Sequence, residues 1–404
     1  MLYQSYQLQD DFLAPIRSWA GWTQSLFNSL PWAVPESARL GYSAALEMIS
    51  RFQLTHTRPP FGIGSVLVDG KTLPVEERVS LAKPFANLLH FAKPGIAGQP
   101  KVMLIAPLSG HFSTLLRGTV ETLLPEHDVY VTDWLNARDV PQSAGRFGVD
   151  EYIDYLIAFL EHLGPGAHIL AVCQPCVQAL AAVAIMSAGE NPCVPRSMTL
   201  MAGPIDPNES PTMVNELAVK RSLAWFEQSV ISQVPYRFAG RGRRVYPGFL
   251  QLTAFMSMNM DRHREAHQRM HYHLARGEQD EAGRIKEFYD EYFAVLDMTE
   301  EFYLETIDRI FQRAELANGT FTHHGRLVDP AAIRRTALLT VEGGRDDICG
   351  MGQTAAAHEL CSSLRPHLKR HYLQANVGHY GVFNGSKWRK EIYPVVQNLI
   401  AQAS

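Results

Sequence analysis

Short apolar runs of strand length recur along this chain, and between them apolar residues fall three and four positions apart. The runs are Val102-Met-Leu-Ile-Ala106, Val129-Tyr-Val-Thr132, His168-Ile-Leu-Ala-Val172, Met198-Thr-Leu-Met-Ala202, Ala337-Leu-Leu-Thr-Val341 and His371-Tyr-Leu-Gln374. Helical spacing occupies stretches such as Asp150 to Leu163, which opens on an acidic cap, and Gln353 to Leu364. This alternation predicts an α/β protein with a mostly parallel sheet and helices on both faces. Ahead of the runs, Val66-Leu-Val-Asp-Gly-Lys-Thr-Leu73 reads as a strand and turn entering the same sheet.

The pattern changes in two places. Residues from about 10 to 55 spell an aromatic-rich helical pair. The first helix carries Phe12, Ile16, Trp19, Leu26, Phe27 and Leu30 and is ended by Pro31, and the second carries Leu40, Ala44, Met48, Ile49 and Phe52. Such a pair suits a hydrophobic particle or bilayer surface, but its polar face has few basic residues, which favours packing against the main body. From 207 to 329 only helical spacing appears, as in Leu217 to Ile231 and Arg284 to Leu296. An all-helical insertion between two strands is expected to be a lid. The expected layout is an N-terminal helical extension (1–60), a first part of the core (61–206), the insertion (207–329) and a second part of the core (330–404).

The run 168–172 passes directly into a helical pattern with Val177, Leu180 and Ala181 on one face, and Cys173 falls at the join. A strand that turns sharply into a helix lifts the residue at the turn above the end of a sheet and aims the helix's free N–H groups at it. α/β-Hydrolases present their nucleophile this way, usually as G-x-S-x-G; here the five positions read Ala171-Val-Cys-Gln-Pro175. Ala171 is small enough for a tight turn, and Pro175 falls in the first helical turn, where its missing N–H costs nothing. The thiolate is readily reached beside a helix N-terminus or an imidazolium. Two structural explanations compete: a buried core cysteine, and a membrane span, which Gln174, Pro175 and Gln178 in mid-run argue against.

Composition narrows the classes. With 404 residues, 46% of them hydrophobic, the chain can bury a large core, and its formal charge of −4 points away from nucleic acid as a partner. The five cysteines, Cys173, Cys176, Cys193, Cys349 and Cys361, lack zinc-ligand spacing. Nothing in the sequence calls for a metal or an organic cofactor. The N-terminus lacks the basic and apolar regions of a signal peptide, so a reduced, cytoplasmic protein is expected. His263, His267, His271 and His273 lie in a helical run, but no Glu is placed as in H-E-x-x-H, so a solvated helix face is expected. The basic segment Arg237 to Tyr246 is interrupted by Gly and reads as a surface loop, and the Met- and Phe-rich run Phe249 to Met260 suits either an apolar substrate surface or an ordinary lid core.

A nucleophile at this elbow needs an acid and a histidine from later strands, in that order. After the strand ending at Val341 comes Glu342-Gly-Gly-Arg-Asp-Asp-Ile348, whose register favours Asp346 over Asp347 as the acid. After the last strand comes Asn376-Val-Gly-His-Tyr-Gly381, which offers His379. The oxyanion hole is expected to use the backbone N–H of Gln174 and that of Leu108 or Ser109, in the loop Pro107-Leu-Ser-Gly-His-Phe112.

The elbow, the loop Ala106-Pro-Leu-Ser-Gly-His111, the strand Tyr130-Val-Thr-Asp-Trp-Leu-Asn-Ala-Arg138, the turn Leu339 to Ile348 and the segment Arg243 to Leu252 together resemble intracellular poly(3-hydroxybutyrate) depolymerases. The resemblance runs over nearly the whole chain. It implies an α/β-hydrolase fold, hydrolysis of the ester bonds of stored amorphous polyester on granules in the cytoplasm, and Cys173, Asp346 and His379 as nucleophile, acid and base. Polyester synthases are the nearest alternative, but their elbow is glycine-flanked, G-x-C-x-G. A non-catalytic granule coat protein is a third reading, which the ordered trio of residues disfavours.

Overall fold

The computed structural model describes residues 2–29, 35–258 and 260–404. Leu30, Pro31 and, within the Met-rich run, Asn259 lie outside the described residues. Eight strands form one sheet: β1 (Glu76–Lys83), β2 (Ala86–Ala92), β3 (Lys101–Ile105), β4 (Asp128–Trp134), β5 (His168–Val172), β6 (Ser197–Met201), β7 (Ala337–Gly343) and β8 (Lys369–Gln374). Their spatial order is β8-β7-β6-β5-β3-β4-β2-β1. β3 to β8 run parallel, while β2 pairs antiparallel with β4 and with β1. This order, with its antiparallel start and a helix following β5, is the α/β-hydrolase fold.

All six expected strands lie in the parallel part. Their burial on both faces is what a continuous apolar run encodes: every residue of β5, β6 and β7 is buried. β1 escaped the periodicity because it is a mostly exposed edge strand, Glu-Glu-Arg-Val-Ser-Leu-Ala-Lys, whereas β2, also missed, is largely buried. The segment 66–73 does not enter the sheet. It forms a separate hairpin, Ser65–Val68 with Lys71–Pro74, closed by Asp69-Gly70, both with positive φ.

The helices that matter below are α1 (Leu2–Ser29), α2 (Glu36–Arg51), α3 (Arg117–Leu123), α4 (Val149–Leu163), α5 (Cys176–Ala188), α6 (Met213–Lys220), α7 (Leu223–Val230), α8 (Gly248–Met258), α9 (Met260–Ala275) and α10 (Gln279–Tyr292). α5 is buried along most of its length because it packs between the sheet and neighbours that include α4. The insertion is mainly helical but not wholly so. Ser232–Gln233, Arg244–Tyr246 and Met298–Thr299 make a small antiparallel sheet, and Thr322–His323 pairs with Arg326–Leu327. These strands are two or three residues long, too short to leave an alternation in the sequence. The expected helix 217–231 breaks at Arg221-Ser222 into α6 and α7, with Ser222 capping α7 through its hydroxyl. Of the expected helix 353–364 only Ala357–Leu360 is regular, because Glu342 draws the amides of Gly352, Thr354 and Ala355 to its carboxylate.

Two other expectations change. Arg243, expected on a surface loop, is buried and donates to the carbonyls of Val140, Pro141 and Gly145, stapling the insertion to the core. His263 is buried rather than solvated, its Nδ1 at 3.0 Å from the Tyr289 hydroxyl, and His267 lies over the same ring. In the Met- and Phe-rich run, Leu252 is buried with Tyr289 and Tyr292 of the insertion, and Phe249 is buried with Tyr3 of α1 and Ala137.

Candidate active site

The parallel strands deliver the site at their carboxyl ends. β5 ends at Val172, and the Cys173 N–H continues its pairing with β6 by donating to the Met201 carbonyl at 2.7 Å. At that point the chain turns: Cys173 has φ 68°, a left-handed conformation that costs a non-glycine residue of order 1–3 kcal/mol and persists only where the surroundings impose it. They do so here. The Cys176 N–H closes the turn on the Cys173 carbonyl at 3.2 Å, and α5 starts at once. Cys173 is half-buried, whereas Cys176, most of a turn along, is sealed in the core with its thiol against the carbonyls of Ala171 and Met201. Burial raises the Cys176 thiol far above its ordinary pKa, raises Cys349 similarly and pushes Cys361 up to about 12. None of these three has the environment of a reactive thiolate.

β7 supplies the carboxylate. Asp346 Oδ1 accepts from the backbone N–H groups of Ile348 and Cys349, both at 2.9 Å, which turns Oδ2 toward His379 Nδ1 at 2.8 Å. The imidazole comes from the loop after β8 and is buried between the edges of Tyr380 and Phe383. Burial alone would lower its pKa. The charges of Cys173 and Asp346, and the hydrogen bonds to both, outweigh burial and hold the ring protonated well above its ordinary range. His379 is thus hydrogen-bonded to Asp346, with the carboxylate and imidazole almost wholly out of water, and Cys173 is near enough for its charge to act on the ring. Among the described residues, the backbone amides of Gln174, Leu108 and Ser109 donate to no backbone carbonyl outside regular helices and strands.

Sequence reasoning missed the residues that hold this arrangement. Glu342, one residue past the recognised part of β7, ties down the loop that carries Asp346. Thr354 exchanges hydrogen bonds with Gly203 at 2.9 and 3.0 Å, linking that loop to the elbow. At Gly203 a Cβ would sit 2.3 Å from Cys176 and 2.6 Å from the Cys173 carbonyl, so no side chain fits. Gly203→Ala is therefore expected to displace the elbow and lower kcat by about 10²-fold, the usual consequence of an ångström's misplacement. Kinetics on a soluble ester, with circular dichroism as a check on folding, measure this; an unchanged kcat would show that the contact is slack.

The insertion meets loops that flank the site. The Leu296 N–H donates to the Gly110 carbonyl at 3.0 Å, and His111, held neutral by burial that lowers its pKa to about 4, meets the Tyr292 carbonyl at 3.2 Å. Gly110 itself leaves no room for a Cβ, which would fall 2.8 Å from Gln251 of α8. Tyr292 of α10 packs with Tyr380, the neighbour of His379. A wide cleft of about 990 Å³ lies elsewhere, lined by Gly166, Arg196, Arg335 and Ala337 at the amino ends of the strands, and contains none of these groups.

A buried elbow at the end of a parallel strand, followed by a carboxylate and an imidazole from later strands, places the protein among the α/β-hydrolases, a class of ester hydrolase here. More particularly, residues 202–404 match the model of the family described as PHB de-polymerase C-terminus, and the chain belongs to that family. No curated protein matches the sequence at a significant level. Similar solved structures include the monoacylglycerol lipase of Paleococcus ferrophilus, 14% identical over 76% of this chain and 97% of that one with a TM-score of 0.44. Another is the meta-cleavage product hydrolase of Pseudomonas fluorescens IP01, 15% identical over 84% of this chain and 98% of that one with a TM-score of 0.42.

Proposed function

We propose that this protein hydrolyses the ester bonds of stored, amorphous poly(3-hydroxybutyrate) at the granule surface in the cytoplasm, through a thioester on Cys173. The observation that carries the reading is the partly exposed sulfur at a left-handed elbow beside an imidazole that Asp346 orients. In the first half-reaction the Cys173 thiolate attacks an ester carbonyl. The oxyanion is received by the N–H of Gln174, where the dipole of α5 assists, and by that of Leu108 or Ser109. The tetrahedral intermediate collapses, His379 gives its proton to the departing alkoxide, and a chain end with a free hydroxyl leaves. In the second half, His379 takes a proton from water, the hydroxide attacks the thioester, and the free acid departs as a 3-hydroxybutyrate monomer or oligomer.

A polymer surface must also be held, and α1 offers the means. Its first turns are anchored to the insertion, the Tyr3 hydroxyl donating to buried Asp297 at 2.7 Å and Tyr6 stacking on Phe249 at 4.1 Å between centroids, and further along one face packs on α2 around buried Ala20. Beyond them Leu8, Phe12, Ile16, Trp19, Trp22 and Leu26 recur three or four residues apart and stay exposed, Phe12 at 76% and Trp22 at 66%. The N-terminal pair thus packs, α2 on the insertion, where Ala44 is buried with Met270 and Leu274 of α9, and α1 on α2, while the outer face of α1 stays exposed. The helix carries Asp10, Asp11 and one Arg, paired with Asp10, so it lacks the cationic face that anionic lipid would attract. An uncharged polyester surface fits it better. Among the described residues, no helix is long and apolar enough to cross a membrane.

Replacing Phe12, Trp19 and Trp22 together by Ser is expected to weaken adsorption to amorphous granules about 10²-fold, since each partly buried aromatic contributes roughly 1 kcal/mol or more. The rate on a short soluble ester should not change. Sedimentation of protein with granules measures it, and undiminished adsorption would remove α1 from the account. The reading as a whole is tested by supplying amorphous polymer granules in one reaction and a hydroxyacyl-CoA in another. Release of 3-hydroxybutyrate units from the polymer is expected; chain growth from the CoA ester would make the protein a synthase, and binding without reaction would make it a coat.

A further inference from the structure

The last part of the insertion meets the core at a cluster that the ester chemistry does not use. The hairpin Thr322–His323 with Arg326–Leu327 turns on His324-Gly325. Adjacent residues of a strand normally point to opposite faces. Here His324 adopts φ 46° and Gly325 φ 75°, and both imidazoles turn to the same side. That side is α4, where Asp154 receives them: His323 Nε2 lies 2.9 Å from Oδ1 and His324 Nε2 2.8 Å from Oδ2. The three donor atoms lie within 4.8 Å of one another, and no other such group of three ligands occurs among the described residues.

The geometry points to a binding site for one divalent transition-metal ion, Zn²⁺ being the best fit, that clamps the insertion to α4 through His323, His324 and Asp154. Two imidazoles and a carboxylate form a borderline donor set of the kind that takes Zn²⁺ rather than Mg²⁺ or Ca²⁺, which prefer oxygen alone. Zinc sits about 2.0–2.1 Å from each ligand, so tetrahedral donors lie roughly 3.3 Å apart. The two N···O separations, 2.9 and 2.8 Å, would open by about half an ångström and the three ligand atoms, now within 4.8 Å of one another, would draw together around the ion, with water completing the shell.

The surroundings are built to support this. Asp150, one helical turn before Asp154, accepts from the His324 backbone N–H at 3.0 Å and so fixes the turn. Its other oxygen is paired with Arg309 at 3.0 Å, which leaves Asp154 as the carboxylate offered to the ion. Arg309 also pairs with Glu315 at 2.9 Å and lies over the ring of Phe321, so the hairpin's base is tied to the same network. The turn residue is informative too. A two-residue turn with both residues at positive φ favours Asn-Gly, and a His in the first place is a less favourable choice for the backbone. Metal ligation would account for it.

The test uses the full chain stripped with EDTA. Titration with Co²⁺ should give the visible d–d absorption of a low-coordinate site at one equivalent, bleached by Zn²⁺, and added Zn²⁺ should raise Tm by a few degrees through linkage. His324→Asn is the decisive variant, because Asn suits the turn and should fold at least as well, yet removes a ligand. It should bind at least about tenfold more weakly and lose the rise in Tm, and Asp154→Asn should do the same. Absence of the Co²⁺ band in the wild type, or an unchanged band and affinity in both variants, overturns the proposal. Neither readout depends on the esterase reaction.

Discussion

Cys173→Ala is expected to lower kcat on polymer and on soluble esters by about 10⁴-fold or more, the scale on which loss of a nucleophile acts in enzymes whose catalytic groups work as a unit. The cost to stability should be small. Cys173 is partly exposed, and alanine still has to adopt the φ of 68° that the elbow imposes on the native residue. Cys176→Ala reverses the pattern. That thiol fills core space against Ala171 and Met201, so its loss should lower Tm and leave kcat within a few-fold of wild type. A steady-state assay with thermal melts on both variants separates the two cysteines. Appreciable turnover by Cys173→Ala would exclude it as nucleophile.

Asp346→Asn should cost about 10² to 10³ in kcat, somewhat less than a fixed-tautomer serine triad suffers, because a thiolate needs less help to form. Two effects combine. The carboxylate stabilises the imidazolium, and Ile348 and Cys349 pin its other oxygen so that the ring is presented in one orientation. An asparagine keeps much of the shape and loses the charge. There is also a pH signature. His379 has its pKa raised in the folded state, so it contributes stability that is fully present below the ordinary histidine pKa and fades as pH rises through the raised value. Removing the charge of Asp346 lowers that folded pKa. The Tm deficit of Asp346→Asn should therefore be largest in mildly acidic solution and narrow toward alkaline pH. Melts of both proteins across that range measure it; a deficit that widens with pH would mean that the imidazole is neutral in the native protein.

Much of this was legible in the sequence, for identifiable reasons. Fully buried parallel strands must be apolar throughout, so β5, β6 and β7 announce themselves, and an elbow between β5 and α5 follows from the change of period at Cys173. The order Cys173, Asp346, His379 is a property of topology and survives translation into a linear string. What was hidden depends on contacts between distant segments. The pairing of Glu342 with the amides of Gly352, Thr354 and Ala355, the close approach of Gly203 to Cys176, and the stapling by Arg243 involve single residues whose partners no local periodicity marks. The exposed stripe of α1 was visible as a pattern, but a hydrophobic helix face reads the same whether it meets a core or a polymer. Likewise the two imidazoles of the 322–327 hairpin share a face only because His324 leaves the extended conformation.

The most direct measurement is rapid quenching of the wild-type protein with a soluble 3-hydroxybutyrate oligomer ester, followed by mass spectrometry of the intact chain and its peptides. A transient adduct of one or more hydroxybutyryl units on the peptide containing Cys173, released by hydroxylamine and absent from Cys173→Ala, is the predicted result. Steady turnover with the acyl group found on another residue, or with the Cys173 peptide modified at no time point, would contradict it.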